Sequence, residues 1–345
     1  MIHVAGAGIF GLSCAWILAQ RGARVRVFEA QAIGAGSSGG HVGALAPHAP
    51  DNWNVKKALQ LDSLLAAPDF WAGVGAASSL PTGYARTGRL QPVPDAATAD
   101  RLPDRIAAAA RHWPPDMGMS LTRDPHSTPI AATLIPHSPT GLWLHDGLTA
   151  RLNPRPALAA LAAAIRATGA EIIEGQPAPP DHNPTIWATG TPGLSDLNRA
   201  LDRRIGQGVK GQSLLIGHAA PDSPQAFADG LHIVPHADGT TAIGSTSENT
   251  YDHDRPDDQA HDLLTRAKAL CPAFADAPLL DIWAGLRPRA RSRAPVLAPW
   301  PNRPGHLIVN GGFKIGFGMA PLLADLAAQF LLDDRRDLPD LFALP

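Results

Sequence analysis

The segment Gly6-Ala7-Gly8-Ile9-Phe10-Gly11 constrains this chain more than any other stretch. The residues before it, Ile2 to Ala5, form a short run suited to a buried strand. A helical pattern follows from Leu12 to Gln20, with Leu12, Ala15, Trp16 and Ala19 along one side. Gly22 stands where a C′ glycine ends a helix. Val25 to Phe28 is a second strand, closed by Glu29. In such a unit the first glycine permits the tight turn, the second lets the backbone approach a pyrophosphate, and the third lets the helix pack against the strand. The helix N-terminus then offers free N–H groups and the positive end of its dipole to the diphosphate. Glu29, 18 residues beyond Gly11, is placed to accept hydrogen bonds from ribose hydroxyls, with Ala30 next to it. A GxGxxG alone is a weak signal. With strand, helix and acid around it at these distances, it is a specific one for a dinucleotide.

The 345 residues are enough for about two domains. Hydrophobic residues at 45% and charged residues at 17% fit a globular protein with a sizeable core. The 34 prolines cluster at Pro81–Pro156, Pro177–Pro184 and Pro288–Pro304, and apolar runs resume after each cluster, so they read as ordered loops and edge segments. The net charge of −2, with both signs interspersed, leaves no footprint for nucleic acid. The basic run Arg287–Arg293 is a local exception. Cys14 and Cys271 are too far apart to suggest a disulfide framework or a metal site, and Cys14 reads as a small core residue. No apolar stretch reaches the roughly 20 residues of a membrane span. With a strand starting at the second residue no leader is expected, and the cytoplasm is the expected location. No internal repeat is found.

The next segments separate FAD from NAD. Residues 34–48 read Gly-Ala-Gly-Ser-Ser-Gly-Gly-His-Val-Gly-Ala-Leu-Ala-Pro-His. Later come Thr185-Ile-Trp-Ala188-Thr189-Gly190, Val209-Lys-Gly-Gln212, His232-Ile-Val-Pro235, Thr241-Ala-Ile-Gly244-Ser-Thr246 and Trp283-Ala-Gly285-Leu-Arg287-Pro288. The last is Ile308-Val-Asn-Gly-Gly312-Phe-Lys314-Ile315-Gly316-Phe317-Gly318-Met-Ala-Pro321, ahead of an apolar helix pattern to Leu332. In order and spacing these resemble the D-amino-acid oxidase family, glycine oxidase in particular, over most of the chain; residues 85–140 are the gap. Between the motifs, Asn54–Leu65 reads as a helix, Arg89–Val93 as a strand and 95–112 as a polar-alanine helix. Residues 142–145 and 170–173 read as further strands, with a helix at Leu158–Ala170.

The resemblance implies an α/β fold. A Rossmann-type FAD-binding domain (1–84, 141–208, 285–345) would interleave with an antiparallel-sheet α+β substrate domain (85–140, 209–284). It implies non-covalent FAD, since neither cysteine falls in the C-terminal loop. The cofactor would be held by Gly6, Gly8, Ile9, Phe10, Gly11, Glu29, Ala30, Ser37, Ser38, His41, Val42, Gly43, Ala44, Leu45, Ala188, Thr189, Gly190, Gly285, Gly312, Lys314, Ile315, Gly316, Phe317 and Gly318. The small residues allow close backbone approach, and Ser37 and Ser38 can donate to phosphate oxygens. The family's last helix points its N-terminus at the flavin, where it stabilises the charge of the reduced ring.

In amino-acid oxidases of this kind the arginine of G-L-R-P, here Arg287, binds the substrate carboxylate through its planar fork. Two positions depart from glycine oxidase. A substrate-binding tyrosine is replaced by His232, and a second arginine by Lys314. Lys314 could contact the flavin, hold an anionic group or assist oxygen activation, and His48 could line the same pocket. The resemblance therefore implies hydride transfer from a small amino acid or secondary amine, giving an imine, with oxygen or another acceptor taking the electrons. It does not carry glycine over as the substrate. A dehydrogenase of the same class stays open, as does a homo-oligomer. A tRNA-modifying oxidase would need a basic surface that this charge balance does not supply, and a pure binding module would need neither W-A-G-L-R-P nor the C-terminal glycines.

Overall fold

Strand pairing starts from the N-terminal unit. Ile2–Ala5 lies parallel to Val25–Glu29 on one side and to Thr185–Trp187 on the other. Glu171–Glu174 and His306–Asn310 extend the parallel array at its two ends, and Val296–Pro299 adds an antiparallel edge, giving six strands. The computed structural model describes residues 1–179 and 183–345, so the middle of the Pro177–Pro184 cluster, residues 180–182, lies outside the described residues.

The helix Ile9–Gln20 is buried around most of its circumference. It packs against Pro154–Ala167 and Gly316–Leu332, and Val55–Ser78 completes that layer. Its end is the expected one: Gly22 takes φ +82°, and the Ala23 N–H returns to the Leu18 carbonyl. On the other side, Gly190–Ala200 packs through Leu194 and Leu197 on Val296, Ile308 and Ala290.

A second sheet of eight strands runs in the order Leu279–Ala290, Gly206–Ile216, Thr241–Gly244, Leu231–Pro235, Gln225–Ala228, Arg89–Pro92, Trp143–Asp146, Met119–Thr122. It is antiparallel except where Arg89–Pro92 lies beside Gln225–Ala228. The helix Asp258–Leu270 covers one face through Ala260, Leu263 and Ala267. The architecture is the expected α/β one: a Rossmann-type sheet joined to a largely antiparallel sheet. Sheet membership groups 143–146 and 279–290 with the larger sheet. Among the described residues no helix is long and apolar enough to cross a membrane.

Three helices differ from their sequence reading. The first, expected over Asn54–Leu65, starts at its Asn54 cap but continues to Ser78 through Pro68. A proline cannot donate to the carbonyl four residues back, here Leu64. The Arg86 guanidinium supplies that hydrogen bond at 2.9 Å and makes a second, also 2.9 Å, to the Leu148 carbonyl. A tertiary partner thus replaces the missing N–H. The second, 95–112, splits into Ala96–Ala99 and Leu102–His112, with Pro103 in the first turn of the new helix, where its missing N–H costs nothing. The third runs Pro154–Ala167 rather than 158–170, because Gly169 at φ +83° turns the chain into the strand Glu171–Glu174.

Arg86→Ala should lower stability by roughly 1.5–3 kcal/mol, the value of hydrogen bonds to a charged group. In chemical denaturation, Pro68→Ala should stabilise the Arg86→Ala background more than the parent, since the restored N–H then has an unpaired carbonyl to fill. Equal effects in both backgrounds would contradict this pairing.

Candidate active site

The glycine turn is shaped by backbone, not by side chains. Gly6 adopts φ +101°, and a Cβ there would lie 2.4 Å from the Ala188 carbonyl oxygen. A Cβ on Gly11 would lie 1.9 Å from the Gly6 oxygen. Gly8 differs: its φ is an ordinary −82°, and a Cβ would meet only the Ser38 Oγ at 3.1 Å. Gly6 and Gly11 therefore serve the fold, while Gly8 leaves open the approach a diphosphate needs. Gly8 caps the helix without a side chain, and no acid occupies the first turn, so the positive end of the helix is uncompensated from within. The Ile9 N–H donates to Ser38 Oγ at 3.0 Å. Glu29 accepts from the Ala7 and Gln31 N–H groups at 2.8 and 2.9 Å, which fixes its carboxylate beside the turn with lone pairs to spare for a ribose. Ala30 follows directly.

The loop 34–48 lies where the two sheets meet. Ser37 and Ser38 open a short 3-10 turn. Gly40 lies against the Trp283 ring, Val42 against Gly244, and Gly43 so close to the Leu152 carbonyl that a Cβ would sit 1.9 Å from its oxygen. Ala44 and Leu45 pair with Arg151 and Ala150. His41 is buried, with Nε2 3.1 Å from Asp281 and Nδ1 3.3 Å from Ser213 Oγ. Burial holds its pKa below the ordinary value despite Asp281. Arg155 ties the strap at its other side, donating to Asp281 and to the Gly39 carbonyl at 2.9 Å each.

The C-terminal loop arrives at the same place. A Cβ on Gly312 would lie 2.7 Å from the Phe10 ring, and one on Gly316 would lie 3.4 Å from Ile9. Ile315, Gly316, Phe317 and Gly318 form the start of the last helix beside the first. Ala188 N–H pairs with Ala5, Thr189 precedes the helix Gly190–Ala200, and Asn310 donates to the Gly190 carbonyl. Gly285 makes room for Trp283, whose ring would be 2.4 Å from a Cβ there.

Arg287, Lys314 and His232 share one neighbourhood. Phe313 N–H donates to the Pro288 carbonyl at 2.9 Å, which joins the C-terminal loop to the end of the Arg287 strand. Arg287 is 9% exposed, its Nη1 donates to the Thr246 carbonyl at 3.0 Å, and among the described residues it makes no ion pair. Burial pulls its pKa down to about 10, against the charge of Glu248. Burial and then Arg287 lower that of Lys314. Burial, then Arg89 and Lys314, push His232 down to about 3, so its ring is neutral at any working pH. His48 is held by Gln60: its N–H and ring Nδ1 both reach Gln60 Oε1, and the charges acting on it are those of Lys56 and Lys57. Gln212, Thr246 and Trp283 lie in the motifs quoted from the sequence but were given no role there, and Asp281, Arg155 and Glu248 were not singled out at all. The V-K-G-Q, T-A-I-G-S-T and W-A-G-L-R-P motifs are the signal for Gln212, Thr246 and Trp283; Asp281, Arg155 and Glu248 depend on tertiary register.

Residues 1–330 match the family model DAO, FAD dependent oxidoreductase. The chain belongs to this family. Among relatives of the DAO chain, a Rhizobium etli protein assigned to thiamine biosynthesis as the oxidoreductase ThiO is 28% identical, covering 97% of each chain. Glycine oxidase of Geobacillus kaustophilus is 24% identical over 96% of this chain and 92% of its own. Its crystal structure superposes with a TM-score of 0.84 at 22% identity, covering 100% and 98% of the two chains. Iminodiacetate oxidase from Chelativorans sp. BNC1 gives 0.85 at 21% identity, covering 100% and 99%. FAD is the cofactor of this DAO chain, and the glycine cradle, the uncapped helix start and Glu29 fit it.

Gly8→Ala should change the stability of the apoprotein by less than about 1 kcal/mol yet weaken FAD binding by roughly tenfold or more, about 1.4 kcal/mol. Flavin titration beside thermal melting checks this. Unchanged FAD affinity would mean the diphosphate does not pass over Gly8.

Proposed function

We propose that this DAO-family chain oxidises the C–N bond of a small amino acid or secondary amine that carries a carboxylate, with oxygen as final acceptor and hydrogen peroxide as product. The observation that carries the reading is Arg287, a buried guanidinium with no carboxylate partner in the described protein. Such a charge is costly unless an anion completes it, and its fork matches a carboxylate.

FAD, when bound, supplies the two-electron acceptor for the hydrogen on the carbon next to nitrogen. The chain's own residues orient and exclude water. Arg287 would fix the carboxylate end, and Lys314 adds a second positive charge to that end. His232 presents a defined face. The Gln225 amide nitrogen donates to the Ala150 carbonyl at 3.1 Å, so its oxygen faces His232 Nδ1, 3.4 Å away. Nδ1 then carries the proton and Nε2 is an acceptor. An acceptor there suits an amine N–H, whereas the tyrosine it replaces in glycine oxidase would donate. Loss of two electrons and one proton as hydride leaves an iminium, which gives up a second proton from nitrogen as the imine; the imine hydrolyses with one water to a carbonyl compound and an amine or ammonia.

Arg287→Met should raise KM for the substrate by about 30- to 150-fold, corresponding to about 2–3 kcal/mol for a charge-assisted pair, with Arg287→Lys recovering part of the loss. Peroxide assay during turnover tests oxygen as acceptor. An unchanged KM would sink the carboxylate reading. Because His232 protonates only near pH 3, it should contribute no acid limb to kcat/KM above about pH 4. A limb near pH 6 that His232→Asn removes would contradict its neutral role.

A further inference from the structure

Lys210 is 1% exposed, yet it is charged. Its ammonium touches Asp257 and lies 3.5 Å from Glu248 Oε2. Burial alone would lower its pKa, but the Asp257 hydrogen bond and the two acidic charges raise it above the ordinary lysine value. Glu248 is equally committed. Its Oε1 accepts from Gln212 Nε2 at 3.1 Å and from the Thr246 hydroxyl, and its side chain is 8% exposed. Gln212 also donates to Asp257 at 2.7 Å and accepts the Asp257 N–H at 2.9 Å. Lys210 and Glu248 exchange both backbone N–H···O bonds, at 3.0 and 2.9 Å.

This cluster meets Arg287 at Thr246. The Thr246 carbonyl that receives Arg287 Nη1 belongs to the segment the cluster holds, and the Thr246 Oγ1 accepts the Gln212 N–H at 2.9 Å. Glu248 is close enough for its charge to act on Arg287, but makes no ion pair with it. A buried carboxylate near a guanidinium frequently pairs with it bidentately. Here Lys210, Gln212 and Thr246 engage it.

We propose that Lys210 is a positioning residue that, with Gln212, holds the Glu248 carboxylate off Arg287 and so keeps the guanidinium free for the substrate's carboxylate. The inference rests on the reading of Arg287 as the carboxylate site. Without Lys210, Glu248 becomes an internal competitor for Arg287. A structural role alone would cost folding stability and leave the acetate affinity and KM of the folded, FAD-loaded protein unchanged.

The test uses the full-length FAD-loaded protein and acetate as probe, titrated against the visible flavin band, beside steady-state kinetics. The parent binds acetate and Arg287→Met does not. Lys210→Met should weaken acetate binding about tenfold or more and raise KM similarly, while kcat at saturation changes less than about threefold. Adding Glu248→Gln to Lys210→Met should restore acetate affinity to within about threefold of Glu248→Gln alone. Unchanged affinity in Lys210→Met, or a loss that Glu248→Gln does not repair, overturns the proposal. If Lys210→Met does not fold, Lys210→Gln takes its place and is read by the same outcomes, alone and with Glu248→Gln. A parent whose flavin band does not respond to acetate, with KM indifferent to Arg287→Met, would show instead that the carboxylate reading itself is wrong and would take this inference with it.

Discussion

The close approach of the first helix to the first strand governs the rest of the structure. The Gly6 oxygen sits where a Cβ of Gly11 would be, and the Ala188 oxygen sits against Gly6. No side chain can intervene, so three backbone segments converge within a few ångströms. The helix start is thereby fixed at one end of the parallel strands, beside the loop that carries Ser38 and against the C-terminal Gly312–Gly316 turn. A helix N-terminus with no internal counter-charge is then available to an anion, and the dinucleotide reading follows from packing as much as from motif.

From this anchor the second sheet is held in register by the long ribbon of Gly206–Ile216 and Leu279–Ala290, in which Val209 faces Arg287 and Gly211 faces Gly285. Gly211 leaves the space the Arg287 guanidinium fills, since a Cβ there would overlap it. The result is an electrostatic imbalance confined to one spot. Arg287 lowers the readiness of Lys314 to stay charged, while the acids nearby are spoken for by Lys210 and Gln212. On the proposed reading such a site takes the anionic end of the substrate, and a neutral His232 adds no third charge.

Much of this was legible in the sequence because it is local. Strand, glycines, helix, Gly22 and Glu29 fall within 29 residues and each follows from short-range geometry. The family motifs placed Arg287, Lys314 and His232, and the structure brings those three together. What the sequence did not show depends on partners far along the chain. The helix that begins at Asn54 looks finished before Pro68 until Arg86 is seen supplying the missing hydrogen bond. The role of Lys210 is invisible without Glu248 and Asp257, 38 and 47 residues away. The hold of Gln60 on His48, twelve residues apart, likewise appears only once the chain is folded.

The most direct test of the central claim is the visible spectrum of the purified, FAD-loaded protein during anaerobic addition of glycine, D-amino acids and N-methyl amino acids. The account predicts that at least one carboxylate-bearing amine bleaches the flavin bands and that readmitted air restores them with formation of peroxide. Flavin bands that none of these amines bleaches would contradict the amine-oxidation reading, and a protein unable to take up FAD would contradict the reading of the glycine cradle itself.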